Sequence, residues 1–545
     1  MLVKWFFLRG NKQINRHDEM KGSVSEKSSM VRAAGIVGGA TFVSRVLGLC
    51  RDAVMAFLFG AASSADAFYV AFRIPNLMRQ LFGEGALAAS FVPVYTDILE
   101  NRGAEEAKKF SSGLFTLLVA ILSALTAGMI LFAPQVVRLV AWGFDPGSEV
   151  FLRTVLLTRW LAPYMMFICV AALGMGILNA RRHFLTPALA PALLNISIIF
   201  FALLVSPRLA DPIVGIAWGV LVGGVLQILI QLGPLRARDA IPLLSLKVVS
   251  PGVRRVAAMM GPAALGVAVY QVNMVVDTLV ASFLPPGSIT YLWYGNRLMQ
   301  FPLGVFGIAL ATAALPTLSA QFSSGRFDDF SETVSFSLSL TVFIGLPAAL
   351  GLIALREPII ATLFARGAFV GRDVLGAAAA LLFYSVGIPF FIGVKIMGRA
   401  FFAMEDTRTP FAGASLAMAA NVLLNLLLMG PMLHAGLALA TSLASLLNFG
   451  YLAVRFTIVR GKSWMTGGLL KESAKSLLAA VIMFSAVAST SGYFDWLSLH
   501  TPARAAGLLG CVAMGIIVYS VAALTLRCEG AMDIKGKLFI WLKNL

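Results

Sequence analysis

The sequence predicts an all-α polytopic membrane protein of about fourteen transmembrane helices, arranged as two six-helix lobes in pseudo-twofold repeat plus two C-terminal helices. Three observations lead there. Of 545 residues, 59% are hydrophobic and only 13% charged, against about 45–50% apolar and about 25% charged in soluble chains. The apolar residues fall in long continuous runs, which suit helices of roughly 20 residues rather than the alternating strands of a membrane barrel. Lysine and arginine crowd into alternate links between those runs. A soluble enzyme, a disordered scaffold and a barrel are thereby excluded.

Residues 1–30 are polar and basic and read as a cytoplasmic tail, because the apolar patch at 5–8 is too short for a signal-peptide core. Apolar segments follow at about 33–60, 65–98, 110–140, 151–178, 186–206 and 212–234, which make an N-terminal lobe within 31–240. Six more, at about 256–284, 288–320, 332–355, 374–402, 411–430 and 434–457, make a C-terminal lobe within 250–460. The last two, at about 472–491 and 505–526, form an added pair within 468–530, and 531–545 is a second cytoplasmic tail.

The links after even-numbered segments carry Arg102, Lys108 and Lys109, then Arg181 and Arg182, then Arg236, Arg238, Lys247, Arg254 and Arg255, and later Arg326, Arg408, Arg455 and Arg460. The odd links at 60–66, 142–150, 285–288 and 430–435 hold neither Lys nor Arg, and only Arg208, Arg366, Arg372 and Arg504 clearly break the pattern. This asymmetry orients both termini to the cytoplasm. The formal net charge of +17 is therefore mostly topology, and no nucleic-acid partner is expected. Pro93 and Pro316 lie 223 residues apart, and so do Pro187 and Pro410. A shared offset implies related bundles, an arrangement that suits a transporter with a central cavity and alternating access.

Ionisable residues inside spans are costly and normally face protein or water. The first two spans concentrate them: Arg45, Arg51, Asp52, Asp66, Arg73, Arg79 and Glu84, with Arg297 in the eighth. Arg45 and Asp52 are seven apart and share a helix face, while Pro75 and the glycines beside Glu84 loosen the second span. Arginine outnumbers acid here, so the cavity suits a phosphate or diphosphate headgroup that guanidinium groups hold bidentately. The competing reading is internal pairing, Arg51 with Asp52 or Arg73 with Glu84. A second constellation, Asp277, Asn421, Asn425 and Thr441, offers oxygen ligands for a monovalent cation or, equally, hydrogen bonds between helices.

The stretches at 44–52, 65–79, 82–87, 294–302 and 399–410 closely resemble the MurJ (MviN) lipid II flippase family of the multidrug/oligosaccharidyl-lipid/polysaccharide exporter superfamily. The resemblance runs in order over about 30–530. It implies that the chain moves lipid II, an undecaprenyl-diphosphate-linked disaccharide-peptide, from the cytoplasmic to the outer leaflet of a bacterial inner membrane. The family's essential cavity arginines match Arg45, Arg51, Arg79 and Arg297, and acidic positions implicated there match Asp66 and Glu84. Thr290 stands where some relatives have serine, and Asn425 where relatives that bind sodium have an acid. Coupling to Na+ or H+ thus stays open; no GxxxxGK[ST] motif points to ATP. Other implied partners are membrane lipids, along the last helix pair, and cell-wall elongation or division proteins.

Rival readings are another flippase or drug exporter of the superfamily, or a membrane enzyme acting on polyprenyl phosphates. A drug exporter favours an aromatic, acidic cavity. An enzyme needs clustered carboxylates, and Glu405-Asp406 is isolated in a link. No catalytic residue, metal or cofactor is expected. Cys50, Cys169, Cys511 and Cys528 lack CxxC spacing. His17, His183, His434 and His500 read as solvated tail or link side chains without a role.

Overall fold

The computed structural model describes residues 19–80, 86–461 and 467–532, and their regular structure is entirely helical. Glu84 lies outside the described residues, as do 1–18 and 533–545 of the two tails. In chain order the helices are α1 (Glu19–Phe59), α2 (Ser63–Met78), α3 (Ala86–Leu131), α4 (Ala133–Val140), α5 (Glu149–Ala180), α6 (Leu185–Phe200), α7 (Pro212–Arg236), α8 (Pro251–Ala281) and α9 (Ser288–Pro302). They continue as α10 (Ile308–Ser323), α11 (Phe327–Ala354), α12 (Arg356–Phe364), α13 (Gly371–Val386), α14 (Ile388–Ala403), α15 (Arg408–Arg460), α16 (Gly467–Gly492) and α17 (Thr501–Thr525).

Among the described residues nine helices are long and apolar enough to cross a membrane, ten when α13 and α14, bent by 42°, count as one broken span. Two of the nine fold back on themselves. In α3 the helix breaks at Gly103 (φ 86°), and the rings of Phe91 and Phe110 on its two arms stack at 5.6 Å. In α15 it breaks at Leu433 (φ 52°), and Asn421 donates to Thr441 across the two arms at 3.3 Å. With α1 and α8, these hairpins are compatible with fourteen crossings.

The chain divides into two compact units. The first takes the described residues up to Val54 together with Ile74–Ala133 and Leu157–Val267. One close pair in it is α6 with α7. Gly215, Gly219 and Gly223 recur every four residues on α7, so they share one face. A Cβ at Gly219 would stand 2.9 Å from the Phe201 Cβ and 3.1 Å from the Ile198 Cα. Only hydrogen at that position lets the backbones meet, and Ser197 then donates to the Gly219 carbonyl at 2.7 Å. In a bilayer such close approach replaces the hydrophobic drive that associates helices in water. After α7 the link runs along the second arm of α3, where Ser112 and Thr116, one turn apart, accept from the amides of Leu243 and Ser245 at 3.0 and 2.9 Å.

The second unit takes Met55–Arg73, Pro134–Leu156 and the described residues from Ala268 onward. It therefore includes the end of α1, most of α2, and α4 with its following loop, as well as α9 to α17. The last helix pair docks on α11, where Phe343 packs with Ala479, Ala523 and Cys528 and its carbonyl accepts from the Tyr519 hydroxyl at 2.6 Å.

Three of the four arginines that break the charge asymmetry donate to carbonyls at helix C-termini, where carbonyls lack partners and a cation is favoured. Arg208 donates to the Leu204 carbonyl, and Arg366 to Thr362 at 2.8 Å. Arg504 donates to Ala361 and Ala365 at 3.3 and 3.1 Å. The fourth, Arg372, lies 3.7 Å from Asp373.

Replacing Gly219 by Leu should drive α6 and α7 apart and cost about 1–3 kcal/mol. The same change at Gly233, where a Cβ meets nothing within 4 Å, should be nearly silent. Thermal unfolding in detergent compares the two, and equal midpoints would refute the packing account.

Candidate functional site

In the first unit, the sequence-predicted charges gather on α1. Arg51 Nε and Nη2 both donate to Asp52 Oδ1, at 3.1 and 2.7 Å. Its Nη1 donates to Asn195 Oδ1 on α6 at 3.2 Å. The Asn195 amide nitrogen in turn donates to the Ser44 and Pro191 carbonyls at 3.2 and 3.3 Å. Asp52 is fully buried, whereas the Arg51 side chain keeps 13% of its surface accessible. A buried carboxylate thus orients a guanidinium that still reaches solvent. Arg45 lies half-buried six residues before Arg51 on the same helix. α2 carries Pro75 in its interior and is followed by a wider turn at residues 79–80, where Arg79 Nε donates to Asn76 Oδ1 at 3.0 Å.

In the second unit, Asp66 is buried and serves as the N-terminal cap of α9 in trans. Its Oδ2 accepts from the Gly287 amide at 2.6 Å. Its Oδ1 accepts from the Thr290 amide at 2.8 Å and the Thr290 hydroxyl at 2.6 Å. A carboxylate there satisfies otherwise orphaned N–H groups and faces the positive end of the helix dipole. Gly287 has φ 93°, and a Cβ on it would stand 2.6 Å from the Ala61 carbonyl oxygen, so glycine is required twice over. Beside this cap, the Tyr69 ring stacks on Trp293 at 4.6 Å. Its hydroxyl donates to that of Tyr294 at 3.2 Å, and Tyr294 stacks on Phe364 at 4.6 Å. The Arg73 guanidinium lies 5.7 Å from the Trp293 ring centroid, within cation–π range. Arg297 follows Trp293 by one turn on α9.

The second constellation does assemble. Asn425 donates to Asp277 Oδ1 at 2.7 Å and to Asn421 Oδ1 at 2.7 Å. Asn421 reaches Thr441, and Asn273 donates to Asp277 Oδ2 at 3.4 Å. With its amide turned over, Asn421 donates directly to Asp277 Oδ1 at 2.8 Å. The Asp277, Asn421 and Thr441 oxygens are thus bound to amide hydrogens between α8 and the two arms of α15, as the interhelical reading has it, while Asn425 Oδ1 is buried with no hydrogen-bond partner and is the oxygen the cation reading would use.

Several partners were not anticipated. Asn195, Tyr69, Trp293 and Gly287 hold the charged residues in place, and of these only Asn195, a lone amide in an apolar run, is conspicuous in the sequence. Two histidines are not free link side chains. His183 bonds to Thr186 at 2.7 Å and to Arg238 at 3.3 Å; burial and the Arg238 charge hold its imidazole below the usual range. His434 donates to the Gly376 carbonyl at 2.9 Å and packs on Tyr291 with ring centres 5.0 Å apart.

Residues 55–506 match the family model for the lipid II flippase MurJ. A probable lipid II flippase MurJ of Vibrio cholerae is 36% identical over 527 residues, covering 94% of this chain and 99% of the relative. The lipid II flippase MurJ of Burkholderia cenocepacia is 35% identical over 90% of this chain and 96% of its own. Among solved structures, a lipid II flippase MurJ in an inward closed conformation superposes with a TM-score of 0.76 at 28% identity, covering 90% of this chain and 98% of that one.

Removing the Asp66 carboxylate strands two amides and a hydroxyl. Asp66→Ala should lower stability by about 1–2 kcal/mol, the range of a lost helix cap. Asp66→Asn, which keeps one acceptor oxygen, should lose less. Thermal unfolding measures both, and a wild-type midpoint for Asp66→Ala would exclude the cap.

Proposed function

The chain belongs to the lipid II flippase MurJ family, and from that membership we propose how its charged groups share the work. It is a multi-pass membrane transporter that moves lipid II between leaflets by alternating access. In our reading it lies in a bacterial inner membrane with both termini in the cytoplasm, as the basic links favour, and carries lipid II outward. No covalent step on the substrate is assigned to any residue.

Arg45, Arg51, Arg79 and Arg297 bind the diphosphate of the headgroup, and Arg73 and Glu84 share in that task. The observation that carries this reading is Arg51, whose guanidinium is set by a buried carboxylate and an amide before any ligand arrives. Preorganised bidentate donors lose little freedom on binding an anion. Asp52 and Asn195 act through Arg51 as positioning residues. Asp66 on Thr290 and Gly287 is the outer closure: intact, it seals the external side, and its release exposes the headgroup outside.

The Asp277, Asn421, Asn425 and Thr441 network is the place where Na+ or H+ would couple to this cycle. The apolar last helix pair accompanies the isoprenoid tail. Cell-wall elongation or division proteins are the fitting neighbours for a protein that delivers their precursor.

Arg51→Ala and Arg297→Ala should each lower lipid II flipping by about 100-fold, the worth of a lost charge-assisted bidentate contact; Arg51→Ala, which takes the guanidinium from buried Asp52, should also lower the unfolding midpoint. Asp52→Asn should cost less, since the guanidinium survives. The assay is accessibility of reconstituted lipid II to an externally added modifying enzyme. Wild-type flipping by either arginine variant would reject the assignment.

A further inference from the structure

Arg504 is a charge on a side of the membrane where the basic-link rule leaves few, and its contacts extend beyond capping one helix. It lies in the first turn of α17, so it belongs to the added pair that the two-lobe repeat lacks. Its Nη1 donates to the carbonyls of Ala361 and Ala365 at the end of α12, at 3.3 and 3.1 Å. Its Nη2 donates to the Leu497 carbonyl, in the link before α17, at 2.7 Å. One planar fork thus joins that link to the turn leaving α12.

That turn does not end in solvent. Three residues past Ala365, the Ala368 amide donates to the Phe57 carbonyl at 2.9 Å. Gly60 and Gly367 both sit at φ 57°, and a Cβ on Gly60 would stand 2.5 Å from the Ala368 carbonyl oxygen. Backbone is therefore seated directly on backbone. Phe369, buried next in the chain, packs its ring on Tyr294 and Phe364 at 5.7 and 6.1 Å. Tyr294 hydrogen-bonds Tyr69, which lies three residues from Asp66. An unbroken set of contacts thus runs from Arg504 to the Asp66 closure.

We infer that Arg504 is a positioning residue for the outer closure: it ties the last helix pair to the 365–369 turn and holds that turn in the shape that seats on Phe57–Gly60. The inference rests on the reading of Asp66 as that closure. It makes the added pair a lever on the gate as well as a surface for the lipid tail. A lysine in place of Arg504 offers no fork: its donors leave one atom, whereas the three carbonyls are reached from two.

Hydrogen–deuterium exchange on the full chain in lipid nanodiscs tests this, with wild type, Arg504→Ala, Arg504→Gln and Arg504→Lys. All three variants should speed exchange in residues 364–370 by about tenfold, as expected when a local hydrogen-bonded unit loses its anchor, with residues 55–62 following. Residues 327–354 should stay protected, which establishes that the variant is folded; if Arg504→Ala fails that control, Arg504→Gln takes its place. A merely local cap would loosen residues 493–500 and leave 364–370 as protected as wild type, and that result overturns the inference. Full protection in Arg504→Lys overturns the bridging role as well. Asp66→Ala, run alongside, should loosen residues 284–291. If it does not while the Arg504 variants still loosen 364–370, the closure reading fails and the anchoring by Arg504 stands.

Discussion

Hydrocarbon offers no water to a charge, and that constraint organises the molecule. Each ion inside a span needs a partner supplied by protein, at a cost of several kcal/mol when the partner is missing. Three acids, Asp52 and Asp66 buried and Asp277 partly so, meet the requirement in three ways. Asp52 takes a guanidinium from the preceding residue, Asp66 takes the amides and hydroxyl at the start of α9, and Asp277 takes the amides of Asn425 and Asn273. The choice of partner sets what each acid can do. A carboxylate shared with arginine steers that arginine, one on a helix terminus fastens two elements, and one among amides knits three helical segments together.

The same constraint decides what could be read in advance. Long apolar runs and alternating basic links are properties of single segments, so the all-helical membrane class and the approximate span count were legible from composition along the chain. The Arg51–Asp52 pair was legible too, because its partners are adjacent. Asp66 was picked out as a costly charge, yet its partners lie 221 and 224 residues away and one contact in each oxygen's set is a backbone amide, which no residue type announces. The same holds for Arg208, Arg366 and Arg504: as side chains they break the charge rule, and as donors to terminal carbonyls they obey the helix-end rule. Topology is read from residue types, whereas backbone groups left over at helix ends become visible only once the helices are placed. Asn195 falls between these cases, marked by its polarity inside an apolar run but not by the arginine it orients.

The closure proposed at Asp66 must come apart during a cycle, and its hydrogen bonds suit that better than an ion pair would. When a buried salt bridge separates, any ion left in a dry site carries a large desolvation cost. When the Asp66 cap separates into water, the carboxylate, both amides and the Thr290 hydroxyl all regain hydrogen bonds. Each bond then contributes only about 0.5–1.5 kcal/mol net. Three such bonds hold the closure by a few kcal/mol, a gap that a ligand's differential binding is able to shift. The seat of Ala368 on Phe57 follows the same logic. Its contacts are one amide on one carbonyl, two glycines, and the Phe57 ring against Gly367. The tight glycine geometry fixes where the surfaces meet, while the modest hydrogen-bond energy leaves their separation reversible.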